Sequence, residues 1–134
     1  MVDGPNDFHT ITPQIIVSDA AAAIDLYKKA FGAVELVRLP VEGSTKIFHA
    51  AVRIGDSRIH LADENKEAGL LAPKGAAGGS RFFLYGENAD RAYNQAIEAG
   101  MEKIASPENK FWGDRIGVVT DRFGQTWMLA SPVK

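Results

Sequence analysis

The sequence predicts an α+β fold in which a βαβββ module occurs twice. Two strand-like segments, beginning at Ile11 and at Arg81, are each followed by a helical segment. Gly32 and Gly100 stand where the two helical segments end. Three further short strand segments follow each helix. The same order of elements found twice in one chain indicates an internal duplication.

The first strand and helix are predicted from residue type and from capping residues. Residues 11–17 are mostly β-branched, and Pro13 favours an edge strand or a bulge. A helix is predicted over residues 20–31, because Ser18 or Asp19 can cap its start and Gly32 can end it. The buried stripe of this helix is predicted to be Ile24, Tyr27 and Phe31.

Three strands complete the first module. Residues 34–40, 46–54 and 57–63 are predicted strands, and the pair Gly55-Asp56 predicts a two-residue hairpin between the last two. With this turn, Val52 pairs with Ile59, and His49 and His60 become diagonal neighbours on the opposite face, about 7–8 Å apart at Cα.

The second module repeats this order. Residues 81–86 predict a strand, Asn88 predicts a helix cap, and residues 89–99 predict a helix that Gly100 ends. The side chains nearest the sheet are predicted to be Ala92, Ala96 and Ala99. The last strands are predicted over 102–106, 115–121 and 125–131, with a turn through Phe123-Gly124 before the final one.

The length of 134 residues fits a single domain spanning residues 1–134. Within it we predict module one over about 9–64, a linking loop over 65–79 and module two over about 80–131. A helix covers one face of each sheet and leaves the other bare. Two bare faces can curl into a shared cleft, which is the kind of concave site that small ligands use.

Composition limits the possible functions. The chain has no cysteine, which excludes disulfides and thiolate metal sites. Its net charge is −2 with acids and bases interspersed, so we expect no nucleic-acid partner. No run approaches the ~20 apolar residues of a membrane span, and the N-terminus lacks the apolar core of a signal peptide. We therefore expect a cytoplasmic protein without a membrane partner.

Four stretches carry a family resemblance. IIVSDAAAAIDLYKKAFGA, HAAVRIGDSRIHLAD, FWGDRIGVVTD and DRFGQTWMLAS, in that order, resemble the PhnB-like branch of the glyoxalase/bleomycin resistance (vicinal oxygen chelate) superfamily. The resemblance spans nearly the whole chain. It implies two βαβββ modules around a cleft, commonly in a homodimer.

The resemblance also implies where a divalent metal would bind. In metal-dependent members, His, Glu and Gln side chains on the first and last strands of each module are ligands, and these positions correspond to Thr12, His60, Arg81 and Met128. Only His60 is a good ligand, because Arg81 is a cation and the Met128 thioether is soft. We therefore favour no metal cofactor. If a divalent metal does bind, we expect His60 to hold it with Gln14 or His49.

The candidate site residues lie on the bare faces or in the loop of residues 111–115. His60 and His49 are the candidate catalytic residues, as hydrogen-bonding groups or a general base, and the alternative is a packed histidine. Arg81 suits an anion clamp or a stacking plane, and the alternative is a salt bridge. The predicted ligand-binding residues are Gln14, His49, His60, Arg81, Phe83, Tyr85, Trp112 and Met128.

The stretch FWGDR, residues 111–115, is predicted to lie at the rim of the cleft. Trp112 could cover a flat ligand or a partner subunit. Asp114 and Arg115 are predicted to pair with the backbone or with each other. A loop-stabilising role and a ligand-lid role for this stretch both stay open.

The sequence therefore favours a small-molecule-binding protein that is metal-independent and holds an aromatic or anionic ligand. The alternative is a divalent-metal-dependent lyase, isomerase or dioxygenase-type enzyme. A third class is an interaction domain without a ligand, in which the protein's own side chains, for example those of the loop 67–80, fill the cleft.

Overall fold

A computed structural model describes residues 9–74 and 79–133. The described residues divide into two compact units, one of residues 9–28 and 32–72, the other of residues 29–31, 73–74 and 79–133. Residues 1–8, which bear on the signal-peptide prediction, and residues 75–78 of the predicted linking loop lie outside the described residues. Within the described part of the chain, no helix is both long and apolar enough to cross a membrane.

The first unit contains one four-stranded mixed sheet. Its elements are β1 (Gln14–Val17), α1 (Ala20–Phe31, with residues 29–31 in the other unit), β2 (Val34–Pro40), β3 (Ile47–Ile54) and β4 (Ser57–Asp63). The strands lie in the order β1-β4-β3-β2. β1 runs parallel to β4, and the other two pairs are antiparallel. A short 3-10 helix, Lys66–Ala68, follows β4.

α1 begins and ends where its capping residues predict. The Asp19 carboxylate accepts a hydrogen bond from the backbone N–H of Ala22 at 3.0 Å. Gly32 ends the helix in the left-handed conformation, with φ of 68°. A second carboxylate also stabilises the helix start, because Asp63 at the end of β4 accepts a hydrogen bond from the N–H of Ala20 at 2.8 Å. Ile24 and Tyr27 are fully buried, as predicted, whereas Phe31 is partly exposed.

β1 is an edge strand, as Pro13 predicts, but it is shorter than predicted. It begins at Gln14 and not at Ile11. Pro13 has no N–H to donate to a sheet, although its carbonyl still accepts a hydrogen bond from the N–H of His60 at 2.9 Å. Regular pairing with β4 therefore starts one residue after the proline.

The second unit repeats the topology. Its elements are β5 (Arg81–Tyr85), α2 (Ala89–Glu98), β6 (Glu102–Asn109), β7 (Asp114–Thr120) and β8 (Thr126–Pro132). The strands lie in the order β5-β8-β7-β6, with β5 parallel to β8. The predicted α+β class with two βαβββ modules is confirmed.

The buried face of α2 differs from the predicted one. Ala96 is buried as predicted, but its buried neighbours are Ala89 and Tyr93. Gly117 on β7 explains this face, because a Cβ there would lie only 2.8 Å from Cδ1 of Tyr93. The glycine makes room for the tyrosine ring, and α2 therefore packs over β7 on the side where Gly117 lies.

The turn between β7 and β8 is organised by the buried Asp121. One carboxylate oxygen accepts hydrogen bonds from the N–H groups of Phe123 and Gln125, at 2.9 and 3.0 Å. The other accepts one from Nε1 of Trp127 at 2.9 Å. Three donors that would otherwise be buried without partners are satisfied by a single side chain.

Candidate functional site

The first unit's sheet has one face with two histidines, here called the His face: Gln14, Ile16, His49, Ala51, Arg53, Arg58, His60 and Ala62. On this face β1 places Gln14 directly opposite His60, and β3 places Ala51 opposite His60. His49 lies two residues before Ala51 and so points to the same side. The predicted pairing through the hairpin of β3 and β4 is confirmed from Ile54–Ser57 to Ala50–Leu61.

His49 and His60 are in contact. Their ring centroids lie 4.8 Å apart and the ring planes are perpendicular. Nε2 of His60 is buried and has no hydrogen-bond partner among the described residues. Burial lowers the pKa of His60 below 6.5, and the neighbouring His49 and Arg58 lower it further. His60 is therefore held in the neutral form, with a nitrogen that could accept or donate one hydrogen bond.

The four positions predicted to correspond to metal ligands are divided between the two units, two in each. Within the described residues, no group of three or more His, Cys, Asp or Glu side chains could hold a metal ion. Thr12 lies before β1, and Met128 lies opposite Phe83 in the second unit. His49, His60 and the Gln14 amide would supply two imidazoles and one weak ligand, whereas catalytic zinc normally has three strong protein ligands.

The second unit's sheet has a face with an exposed arginine, here called the Arg face: Arg81, Phe83, Tyr85, Asp114, Ile116, Val118, Thr126, Met128 and Ala130. The register joins these residues across three strands, since Phe83 lies opposite Met128 and Met128 lies opposite Val118. Gly117, against which α2 packs, points to the other side of this sheet. The Arg face is therefore the side that α2 does not cover.

The Arg face has an aromatic edge and an apolar floor. The rings of Phe83 and Tyr85 stack at a centroid distance of 5.9 Å and a plane angle of 19°, and these side chains are 46% and 61% exposed. Met128 is only 8% exposed and belongs to a buried cluster with Ile116 and Ala130. The predicted ligand residues thus differ in access, because the two rings are open to solvent and Met128, on the neighbouring strand, is buried.

Arg81 is exposed at the start of β5. It forms no ion pair with any of the described residues, so the predicted alternative of a salt bridge is not realised there. It shares β5 with Phe83 and Tyr85, each two residues further along. A guanidinium and two ring faces therefore lie in one row on an exposed strand.

In the stretch FWGDR, residues 111–113 lie in the hairpin loop between β6 and β7, and Asp114 and Arg115 are the first residues of β7. The N–H of Lys110 donates to the carbonyl of Asp114 at 2.7 Å, and the N–H of Gly113 donates to the carbonyl of Lys110 at 3.1 Å. Gly113 has φ of 102°, a conformation that side chains disfavour. The glycine therefore closes the turn, and the two aromatic residues before it, Phe111 and Trp112, lie at the surface.

The prediction that Asp114 and Arg115 pair with the backbone or with each other is wrong for their side chains. One oxygen of Asp114, Oδ2, accepts hydrogen bonds from the Tyr85 hydroxyl and from Nε1 of Trp112, each at 3.0 Å. The guanidinium of Arg115 donates instead to both carboxylate oxygens of Asp90 on α2, at 2.7 and 3.0 Å. The motif thus ties its loop to β5 on one side of the sheet and to α2 on the other.

These contacts shift the pKa values of the groups that they join. The hydrogen bond to Asp114 raises the pKa of Tyr85 above 10.0, so its hydroxyl remains a donor at neutral pH. The hydrogen bond from Arg115 lowers the pKa of Asp90. The sequence did not identify Asp114 as a site residue. No signal in the sequence marks Asp114, because its partner Tyr85 is 29 residues away in the chain and reaches it only through the sheet.

The first unit also contains an open pocket of about 470 Å³ that the sequence did not predict. It lies between the connection from β2 to β3 and the 3-10 helix that follows β4. Its lining residues are Val41, Lys46, Ile47, Phe48, Asp63, Glu64, Asn65, Lys66, Glu67, Ala68 and Leu70. Asp63 already accepts backbone hydrogen bonds from Ala20 and Ile47, so its carboxylate serves the fold. Phe48 is largely exposed at this pocket.

Comparison with known proteins identifies the family. The sequence model of one protein family, the Glyoxalase/Bleomycin resistance protein/Dioxygenase superfamily, matches residues 8–129. The chain belongs to this superfamily. The uncharacterized protein Mb0911c of Mycobacterium bovis is 38% identical over 128 residues, which cover 92% of this chain and 84% of that protein.

Solved structures share the fold. The Arabidopsis thaliana gene product At5g48480 superposes with a TM-score of 0.72 at 26% identity, covering 93% of this chain and 98% of that one. Protein PA1353 of Pseudomonas aeruginosa gives 0.75 at 24% identity and covers 95% of this chain and all of that one. TioX of Micromonospora sp. ML1 gives 0.72 at 22% identity, covering 94% of this chain and all of TioX.

Proposed function

We propose that this protein binds a small aromatic anion on its Arg face and that it does so without a metal ion. The observation that carries this proposal is the row on β5, in which the exposed Arg81 is followed by the stacked, half-exposed rings of Phe83 and Tyr85. A cation beside two ring faces is complementary to a planar molecule that has one carboxylate or phosphate.

Each part of the row has a role in binding. A guanidinium can donate two parallel hydrogen bonds to a carboxylate or phosphate, which fixes the anionic end of a ligand. The rings of Phe83 and Tyr85 offer contact to a flat apolar body. Met128, opposite Phe83, and Ile116 are buried apolar residues of the same face and offer no competing hydrogen-bonding group.

Metal independence is supported by the chemistry of the available donors. The positions at which the superfamily resemblance implies metal ligands contain threonine, arginine and methionine in addition to His60. A fixed positive charge at Arg81 repels a divalent cation. The same charge attracts an anionic ligand, so one residue supports both parts of the proposal.

Calorimetric titration with naphthalene-2-carboxylate tests the proposal. The wild type should bind, and Arg81→Gln should bind at least about tenfold more weakly, because a charge-assisted hydrogen bond contributes about 1.5–3 kcal/mol. Arg91→Gln on the exposed surface of α2 is the matched control and should leave the affinity unchanged. Prior treatment with EDTA should also leave it unchanged.

Two results would contradict the proposal. Equal affinities of the Arg81→Gln and Arg91→Gln variants would show that Arg81 does not bind the anionic end of the ligand. Loss of binding after EDTA treatment, with recovery on addition of Ni²⁺ or Zn²⁺, would replace metal-independent binding with the alternative function.

The alternative is a divalent-metal-dependent lyase, isomerase or dioxygenase-type enzyme. It is favoured by the contact of His49 with His60, by Gln14 opposite His60, and by the unpartnered Nε2 of His60. Elemental analysis of untagged protein separates the two functions. We expect well under one equivalent of any transition metal, and a stoichiometric metal that His60→Ala removes would favour the enzyme.

Several finer predictions go with this proposal. Gln14, His49 and His60 stay predicted ligand contacts, with the two histidines as candidate catalytic groups. Membership of the PhnB-like branch rests on the FWGDR stretch and on the Asp121 turn. The homodimer stays a prediction from the resemblance, and the cytoplasmic location stays a prediction from composition.

A further inference from the structure

We propose that Asp114 determines ligand specificity on the Arg face, by fixing the direction in which an aromatic anion lies and by rejecting ligands with a second anionic group. This inference rests on the proposed function. It also makes Asp114 a positioning residue for two rings, because Oδ2 of Asp114 accepts hydrogen bonds from both Tyr85 and Trp112.

The first step is the placement of charge along the row. Arg81 and Tyr85 stand at the two ends of β5. Four residues of extended strand span about 13 Å. The Tyr85 hydroxyl extends beyond this to Asp114, from which it is 3.0 Å away. A positive charge therefore lies at one end of the aromatic row and a negative charge at the other.

The second step concerns the hydrogen-bonding groups of the rings. The Tyr85 hydroxyl and the Trp112 Nε1 group both donate to Asp114. With these donors engaged, the rings present mainly their apolar surfaces to a ligand. The two side chains are still 61% and 54% exposed, so those surfaces are accessible. Fixing the rings before binding reduces the entropy lost when a ligand is bound.

The third step is the balance of the other charges near Asp114. Lys110 pairs with Glu108 in the same hairpin. Arg115 pairs with Asp90 on the α2 side of the sheet. Within the described residues, neither cation forms an ion pair with the Asp114 carboxylate, so its charge is not neutralised by them.

Together these steps define the ligand class. It is an extended aromatic monoanion whose carboxylate or phosphate lies at Arg81 and whose uncharged aromatic end lies by Tyr85 and Trp112. A molecule with anionic groups at both ends would place one of them next to Asp114. The repulsion between two carboxylates a few ångströms apart corresponds to at least about a fivefold loss of affinity.

A pair of probes tests this specificity. Biphenyl-4-carboxylate has one charged end, and biphenyl-4,4′-dicarboxylate has two on the same skeleton. The wild type should prefer the monoanion at least about fivefold, after correction for the two equivalent ends of the dianion. Asp114→Asn should lose this preference through tighter binding of the dianion. Asp25→Asn, at an exposed position on α1, is the matched control and should retain the preference.

Two measurements cover the case in which Asp114→Asn does not fold. In the wild type, the preference for the monoanion should decline as salt is raised, because exposed charges are screened. Tyr85→Phe keeps the Asp114 charge while removing one of its hydrogen bonds. It should therefore retain the preference for the monoanion even where both affinities fall.

Spectroscopy tests the positioning role without any ligand. The chain has two tryptophans, Trp112 and the buried Trp127. Asp114→Asn should change the fluorescence of Trp112, identified by subtracting the spectrum of Trp112→Phe. The phenol of Tyr85 should ionise at lower pH in the same variant, because Asp114 raises its pKa. If Asp114 only stabilised the fold and did not position Tyr85, its substitution would leave the pKa of Tyr85 unchanged.

The outcomes separate the two proposals. If wild-type protein binds both biphenyl probes with equal affinity and Arg81→Gln weakens both, the role of Asp114 is overturned and aromatic-anion binding stands. If neither biphenyl probe nor the naphthalene probe binds, both proposals fall. A preference that survives in Asp114→Asn also overturns the inference.

Discussion

The two modules share one topology but present different chemistry on their sheets. The His face contains two imidazoles, two arginines and an amide, whereas the Arg face has two exposed rings and a buried cluster of methionine, isoleucine and alanine. Strand order and the parallel pair are the same in both. The topology therefore requires hydrogen-bonding groups at a few turns and strand ends, and it leaves the faces free to differ.

The ends of β4 and β8 show how the same structural task is met by different residues. Asp63 accepts a hydrogen bond from the N–H of Ala20, the first residue of α1. Ser131 accepts one from the N–H of Ala89, the first residue of α2, at 3.0 Å. Each last strand thereby holds the helix of its own module. Asp63 also accepts a second bond, from the N–H of Ile47 at 2.6 Å.

The largest expected effect comes from the turns of the two hairpins. Asp121→Ala removes the acceptor of three buried hydrogen bonds and should lower the free energy of unfolding by about 3 kcal/mol or more. Asp56→Ala in the turn between β3 and β4 removes only an exposed contact with Ser57 and should change it by less than about 0.5 kcal/mol. Urea denaturation measures both values. Similar losses in the two variants would show that Asp121 does not organise its turn.

A second comparison concerns the strand ends. Asp63→Ala should lower the free energy of unfolding by about 2–3 kcal/mol, because it removes two charge-assisted hydrogen bonds. Ser131→Ala removes one bond to a neutral hydroxyl and should cost about 1 kcal/mol. Thermal and urea unfolding measure the pair. The reverse order of the two losses would mean that the second acceptor oxygen of Asp63 contributes nothing.

The smallest expected effect is a pH dependence of the free energy of unfolding that comes from His60 on the His face. Burial lowers the pKa of His60 in the folded protein below 6.5, so the unfolded chain binds the proton more readily. The resulting stability is present above pH 6.5 and is lost as the pH falls through the folded value. The free energy of unfolding should therefore decline less steeply between pH 7.5 and about 5 in His60→Gln than in the wild type. Identical slopes would contradict this assignment.

Local features of the fold could be predicted from the sequence. Asp19, Asn88 and Gly32 cap the helices where predicted, because capping depends on residues adjacent in the chain. The turn at Gly55-Asp56 predicted the register of β3 and β4 from Ile54–Ser57 to Ala50–Leu61 for the same reason. The buried face of α2 could have been read from the spacing of Ala89, Tyr93 and Ala96. The decisive reason for it, the space over Gly117, depends on a residue distant in the chain.

The candidate site could be predicted only in part. Alternation along β5 correctly placed Arg81, Phe83 and Tyr85 on one face. The partners of Asp114 and Arg115 could not be read from the motif, because Tyr85 and Asp90 precede it by many residues and reach it only through the sheet and α2. Adjacent opposite charges suggest an ion pair, but neighbouring residues on a strand point to opposite faces.

The parallel pairing of β1 with β4, and of β5 with β8, has a consequence for synthesis on the ribosome. The strand made first in each module finds its partner only in the strand made last, as Gln14 does with His60 and Arg81 does with Thr126. Neither sheet can therefore close while its module is still being translated. Until Asp63 has left the exit tunnel, the nascent first module has neither its full sheet nor the second of the two carboxylates that stabilise the start of its helix.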